Sequence, residues 1–344
     1  MDKLSVKPVH VGVYQPEGMP QSFKVYAKNV MKSSPDDRVR FSVFSSRQDI
    51  PLNADILWDI RSGGGNPPPE FLLDKSLPPL VLTIHGYAPM SLPGWEYFRS
   101  FRDRVLARFY AWKKRKRWIK VRPFIRKVIA VSEFTKSETQ RLAGIEADRI
   151  AVCHHGVDSG LFAHDPWRRK EIPYFLHVSN NEPRKNVDRI VAAFIELGRH
   201  HSVELVLKLP AEASVKYADI VGIRVIAEHL GEKELANLYG SALGFVFPSL
   251  YEGFGLPILE AMSSGCPVIT SSVSACPEVA GEAALLVNPR RTDELIRAMT
   301  VLVESPSERD RLVSAGLDRV RQFTWEHSAA LHAQAFLEAC GGQG

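Results

Sequence analysis

Ser249-Leu250-Tyr251-Glu252-Gly253-Phe254-Gly255-Leu256-Pro257-Ile258-Leu259-Glu260-Ala261-Met262 joins a strand to a helix. Upstream, Ala242-Leu243-Gly244-Phe245-Val246-Phe247 is an apolar run of the length a fully buried parallel strand takes, and Pro248 closes it. Gly253 and Gly255 free the loop to adopt backbone angles closed to other residues and bring its amides close to a ligand. Pro257 suits a first helical turn and Gly265 a helix end, so the pattern predicts a helix over Pro257–Ser264. Such a loop at the carboxyl end of a parallel strand offers amides and the positive end of a helix to phosphate. Two carboxylates flank it, Glu252 in the loop and Glu260 in the helix. A carboxylate only accepts hydrogen bonds, and its two oxygens match the adjacent hydroxyls of a ribose or a hexose. A nucleotide sugar offers both, with a diphosphate between them.

Glu252 and Glu260, separated by seven residues in Glu-Gly-Phe-Gly-Leu-Pro-Ile-Leu-Glu-Ala-Met, resemble the signature of family GT4, the retaining group 1 glycosyltransferases of the GT-B fold. The resemblance continues through Gly265-Cys266-Pro267-Val268-Ile269-Thr270 and Pro277-Glu278-Val279-Ala280-Gly281-Glu282-Ala283-Ala284. It implies an α/β chain of two Rossmann-like domains with parallel sheets facing across a cleft, and a last helix crossing back to the first domain. On this chain the acceptor-side domain is expected over 1–165, with the helix of about 326–340 added. The nucleotide-sugar domain is expected over 170–325, with the proline- and charge-rich Ala163–Pro173 as linker.

The length of 344 residues has room for two such domains, and 45% hydrophobic with 24% charged residues is a globular composition. No run of about 18 apolar residues occurs and Met1–Leu4 leads into no long apolar segment, so neither a membrane span nor a secretory leader is expected. Cys153, Cys266, Cys276 and Cys340 are widely spaced and lack a C-x2-C pattern, which fits free thiols in a cytoplasmic protein. The net charge of +5 is unevenly spread. Between Arg99 and Lys127 stand thirteen Lys or Arg against the single acid Asp103, so the remainder is net negative. Phe98, Phe101, Phe109, Tyr110, Trp112, Trp118 and Phe124 are interleaved with this basic run. That mixture suits an interfacial helix against anionic lipid, a polyanion, or a solvated wall of the cleft.

His10–Tyr14 reads as a strand, followed by the turn Gln15–Pro20. Only Gly18 remains there of the glycine-rich first loop usual in the family, which makes it the acceptor-side candidate. Ala54–Trp58 is a strand followed by Gly63-Gly64-Gly65, read as a mobile loop in preference to a phosphate cradle. Leu80–Ile84 is a buried strand with His85 at its carboxyl end. Ser132 or Thr135 caps a helix ending near Gly144, Thr135 with Glu138 matching a capping box. Tyr174–Val178 opens the second half, and Asn181-Glu182-Pro183-Arg184-Lys185-Asn186 leads into apolar positions at helical spacing, Val187, Ile190, Val191 and Phe194. Arg184 and Lys185 thus stand at a strand-to-helix junction with full positive charges for a diphosphate.

By the resemblance, Glu260 holds the ribose hydroxyls. The amides of Phe254, Gly255 and Leu256 hold the diphosphate and sugar, Glu252 accepts from the sugar, and His85 bonds the transferred sugar. Arg184 and Lys185 stabilise the charge that grows on the leaving diphosphate. No Asp-x-Asp occurs, so no metal and no other cofactor is expected. The reading is a metal-independent hexosyltransferase using a nucleotide diphosphate sugar, UDP-hexose first and GDP-mannose second. Its expected acceptor is a glycan or lipid-linked polysaccharide precursor, at the inner face of the plasma membrane and with no nucleic acid partner. A GT-B epimerase or phosphorylase, or a polyanion-binding protein with a degenerate site, are the readings of other classes.

Overall fold

Strands apolar on both faces, such as Leu80–Ile84, are stable only in a parallel sheet covered on both sides, and the chain builds two of these. The computed structural model describes residues 8–35, 37–62, 65–162, 173–180 and 182–341. The chain divides into two compact units, one of residues 1–91, 105–156 and 324–344, the other of residues 92–104 and 157–323.

In the first unit, β1 (Val9–Tyr14), β2 (Val39–Phe44), β3 (Ile56–Ser62), β4 (Leu80–Ile84), β5 (Ile125–Ala130) and β6 (Ile150–Val152) form a sheet ordered β2-β1-β3-β4-β5-β6. All its pairs are parallel. Its helices begin with α1 (Gln21–Lys32) and α2 (Ala88–Ser91). After α3 (Gly94–Tyr97), which groups with the second unit, come α4 (Phe101–Val121) and α5 (Glu133–Glu138). Ser132, not Thr135, caps α5, its Oγ accepting from the Thr135 N–H at 3.0 Å. The helix runs on as a π turn, Thr139–Ala143, to Gly144 at φ 66°.

In the second unit, β7 (Tyr174–Val178), β8 (Glu204–Lys208), β9 (Ile223–Ile226), β10 (Gly244–Phe247), β11 (Val268–Ser271) and β12 (Ala284–Val287) are ordered β12-β11-β10-β7-β8-β9. These pairs too are parallel. The connecting helices are α6 (Val187–Leu197), α7 (Ala211–Ser214), α8 (Glu232–Gly240), α9 (Leu256–Ser263), α10 (Cys276–Ala280), α11 (Thr292–Glu304) and α12 (Pro306–Val320). The core packs Phe175, Leu205 and Val246 of the sheet against Ile190, Phe194, Met299 and Leu302 of the helices. At Gly244 a Cβ would stand 2.6 Å from Leu302 Cδ1, so the sheet and α11 pack closely there and a larger residue would displace the Leu302 side chain. The chain enters at β7, winds out to β9 and returns to β10 on the other side of β7. The switch point, where ligands bind in such sheets, therefore lies between β7 and β10.

The last helix, α13 (Trp325–Gly341), belongs to the first unit, where Ala329, Ala333 and Phe336 join Trp58 and Val30 in the core. A buried chain of hydrogen bonds fixes it. His332 Nδ1 donates to Ser328 O at 2.7 Å, which leaves Nε2 to accept from the Tyr26 hydroxyl. Thr83 Oγ1 lies 3.1 Å from that hydroxyl and accepts from Trp58 Nε1 at 2.9 Å.

The linker expected at Ala163–Pro173 falls, up to residue 172, outside the described residues. The division of the chain differs from the sequence expectation in two respects, the first being that residues 157–162, placed in the first domain, fall in the second unit. Second, Leu92–Arg104, within the stretch assigned to the first domain, groups with the second unit. Glu96 explains it, since Arg290 grips its carboxylate through Nε at 2.7 Å and Nη2 at 2.6 Å.

Candidate functional site

The loops after β7 and β10 carry the candidate donor residues. After β7 a single turn, Pro183–Lys185, ends at Asn186 with φ 64°, a left-handed conformation that Asn tolerates better than most residues. Asn186 Nδ2 donates to Pro248 O at 3.0 Å and Pro289 O at 2.7 Å, and the Leu250 N–H donates to Arg184 O at 2.7 Å. The two loops at the switch point are thereby pinned to each other. One layer below, His177 Nδ1 donates to Val246 O at 2.8 Å, and Nε2 pairs with Ser179 Oγ. Burial pushes this imidazole down to about 4, so it stays neutral.

Arg184, Lys185 and Glu252 meet. Lys185 Nζ donates to Glu252 Oε1 at 2.6 Å, and Arg184 Nη1 lies 3.1 Å from Oε2. Arg184 also donates from Nε to Glu182 at 2.6 Å and from Nη1 to Tyr251 O at 2.9 Å. Burial raises the Glu252 carboxyl, but the charges of Lys185 and Arg184 outweigh it and hold the group below its ordinary value. Burial lowers Arg184, which Glu252 and Glu182 more than reverse. The Glu252 N–H donates to Ser274 Oγ at 3.0 Å, and Ser274 is itself left-handed at φ 58°.

Both Glu252 oxygens face cations within the protein, and the side chain is buried. Its geometry is that of a group positioning the two cations. An ammonium has three donors and a guanidinium five, so Lys185 and Arg184 keep N–H groups beyond those bonds.

Gly255 caps α9 at φ 108°, a conformation that disfavours any side chain, and its missing Cβ would lie 3.1 Å from Ile258 Cδ1. The helix starts at Leu256, one residue before the sequence expectation, with Pro257 in its first turn. Its first N–H groups have no partner within the helix. Glu260 is half-buried, and Oε2 accepts from the Tyr239 hydroxyl at 3.1 Å. Burial pushes its carboxyl up to about 7, against the lowering effect of that hydrogen bond. Sequence reading missed Tyr239, Ser274, Asn186 and His177. Only Asn186 carried a signal, directly after the two cations.

In the first unit His85 follows β4, half-buried, with Nε2 3.0 Å from Ile60 O. A carbonyl only accepts, so Nε2 carries the proton and Nδ1 is an acceptor. Burial pushes His85 down to about 4, so it is neutral at pH 7. Its ring stacks on His155 at 5.5 Å and meets Tyr26 edge-on at 5.0 Å. Gly18, exposed at φ 71°, forms the turn between β1 and α1. Of the glycine triplet, Gly63 and Gly64 lie outside the described residues. Gly65 is anchored, its carbonyl accepting from Trp118 Nε1 at 2.8 Å. Among the described residues no three His, Cys, Asp or Glu side chains are grouped to hold a metal ion, and no helix is long and apolar enough to cross a membrane.

The chain as a whole is similar to known proteins. A family model described as Glycosyl transferases group 1 matches residues 163–319, and one described as Glycosyltransferase Family 4 matches residues 67–161. The O-antigen chain mannosyltransferase B of Escherichia coli is 28% identical over 78% of this chain and 72% of its own length. The MMP alpha-(1->4)-mannosyltransferase of Mycolicibacterium hassiacum is 34% identical over 76% of this chain and 66% of its own length. The Anabaena protein HepE, solved in complex with UDP and glucose, superposes with a TM-score of 0.73 at 15% identity, over 96% of this chain and 100% of its own. The fold is GT-B.

Proposed function

We propose, from the premise that this chain belongs to the group 1 glycosyltransferases of family 4 and transfers glycosyl groups, that it moves a hexose from a nucleoside diphosphate sugar to a hydroxyl of a glycan or lipid-linked precursor. The observation that carries the donor class is the meeting, at the β7–β10 switch point, of Arg184 and Lys185 with Glu252 in the loop that leads into the start of α9, with Glu260 about one turn into that helix. The mannosyltransferases among the relatives support putting GDP-mannose first here and UDP-glucose second, the reverse of the order expected from sequence.

In this reading the remaining N–H donors of Arg184 and Lys185 grip the diphosphate. Amides of Phe254, Gly255 and Leu256 supply neutral dipoles, and Glu260 accepts from the ribose hydroxyls. Glu252 holds the two cations at fixed positions. His85, neutral with a bare Nδ1, accepts from a hydroxyl of the transferred sugar. The acceptor oxygen attacks the anomeric carbon from the face the diphosphate leaves. The glycosidic C–O bond to phosphate breaks, and a phosphate oxygen of the leaving group takes the acceptor's proton, so configuration is retained. Charge grows on the diphosphate as this bond breaks, so fixed cations there lower the barrier more than they tighten ground-state binding. No divalent metal takes part.

Transfer from GDP-mannose and UDP-glucose to a lipid-linked or oligosaccharide acceptor, followed by product mass and anomeric NMR, tests this. An α-mannoside product is expected from an α-linked donor. Release of free sugar or an epimerised nucleotide with no transfer product, or no binding of either donor, would overturn the proposal.

A further inference from the structure

Helix α4 has two faces that do different things. Ala107, Trp118 and Val121 point inward and are buried, and Trp118 anchors the helix through its bond to Gly65 O and its contact with Tyr87. On the opposite side Val105, Phe109, Trp112 and Ile119 are 65%, 53%, 52% and 50% exposed. At 100° per residue these four fall within an arc of about 80° on the outside of the helix, an apolar stripe that Lys116 interrupts between Trp112 and Ile119. Phe109 stacks on Trp112 at 5.8 Å, so these two rings form one apolar surface.

Cations border it. Arg108, Lys113, Arg115, Lys116, Arg117 and Lys120 are all exposed, and among the described residues none of the six makes an ion pair. Residues 105–121 contain no acid at all. Lys116 lies over the Trp112 ring at 4.0 Å, its charge held against the stripe. An ordinary solvated helix mixes both signs, which limits self-repulsion. One sign alone beside exposed Trp and Phe matches a surface that is apolar inside and anionic outside. We infer that the outer face of α4 is a docking surface for an anionic lipid bilayer. Phe109, Trp112 and Ile119 enter the headgroup and acyl boundary, while the flanking cations rest among the phosphates. This goes beyond the donor chemistry and does not depend on it, since no residue of the candidate donor site lies on the helix.

Flotation of the full chain with vesicles of phosphatidylcholine alone, and with roughly one third phosphatidylglycerol, tests the inference. The protein is expected to float with the anionic vesicles at low salt, to float weakly with neutral ones, and to be released progressively by salt. A cation near such a surface is worth about fivefold in partitioning. Lys113→Glu with Lys120→Glu should therefore lower binding by well over twentyfold. Phe109→Ser with Trp112→Ser should lower it at least tenfold at every salt concentration. Both pairs lie on the surface, and unchanged thermal unfolding confirms that the fold persists. Equal flotation with both vesicles, no flotation at low salt, or binding unaffected by either pair would overturn the inference. So would binding to heparin but not to vesicles, or a concentration-dependent dimer abolished by the serine pair, which would assign the face to a polyanion or to a second copy of the chain.

Discussion

Removing the charge of Glu260 while keeping its shape, by Glu260→Gln, isolates what the half-buried carboxyl does for the donor. Its carboxyl titrates at about 7. Roughly one molecule in eleven therefore carries the carboxylate at pH 6 and ten in eleven at pH 8. A ribose diol donates hydrogen bonds, so it binds the carboxylate and not the protonated acid. Affinity for the nucleotide sugar is then expected to rise about tenfold from pH 6 to pH 8, and binding near pH 7 should release about half a proton. The nucleotide sugar is the right probe because both of its phosphates are esterified and keep their charge through this range. At pH 8 Glu260→Gln should bind ten- to a hundredfold more weakly, the roughly 1.5–3 kcal/mol of a hydrogen bond to a charged group, and its pH profile should be flat. Tyr239→Phe removes a bond that lowers the carboxyl, so the midpoint of the wild-type profile should move to higher pH. A raised folded-state value also destabilises the fold as pH rises through it, so Glu260→Gln should melt higher than wild type at pH 8 and not at pH 4. Isothermal titration in two buffers of different ionisation enthalpy, with melting curves, reads all of these. A flat wild-type profile, or an equal slope in Glu260→Gln, would refute the assignment of the carboxylate to the ribose.

Four further outcomes are expected. Initial transfer rates should be unchanged by excess EDTA, and a loss restored by magnesium or manganese would show that Arg184 and Lys185 do not suffice for the diphosphate. Glu252→Gln leaves the buried Lys185 without its carboxylate, while Arg184 keeps Glu182, and should cost about 3–5 kcal/mol of stability in denaturant unfolding. Lys185→Met keeps the Arg184 pair, so it should destabilise less yet lower kcat more than the affinity for the bare nucleoside diphosphate. Gly255→Ala forces a Cβ into a left-handed residue and against Ile258, and should cost about 1–3 kcal/mol while weakening the donor, as measured by melting and titration.

The first-order organisation was legible because local patterns encode it. Val187, Ile190, Val191 and Phe194 recur at helical spacing and become the buried face of α6. The run 242–247 becomes the central strand β10, and the GT4-like motif places its loop and helix within a residue. These features arise from contacts between near neighbours, or from backbone preferences written into Gly and Pro. The capping box at Thr135 shows the limit of that approach. Two hydroxyls competed for one helix start, and the one with extended backbone geometry, Ser132, took it.

What the sequence determined by itself is the alternation of strand and helix, the switch-point loops, and the residue types proposed to meet a diphosphate and a diol. What only the tertiary structure decided is how those residues share their charges. Lys185 and Glu252 are 67 positions apart, Tyr239 and Glu260 21, Glu96 and Arg290 194, and Tyr26 and His332 306. None of these spacings is periodic, since each is set by which strands pair and which helix covers them. Burial followed from the same packing, raising Glu260, holding His85 and His177 neutral, and leaving one face of α4 apolar and exposed. A charge takes its value from its surroundings, and the surroundings exist only once the chain has folded.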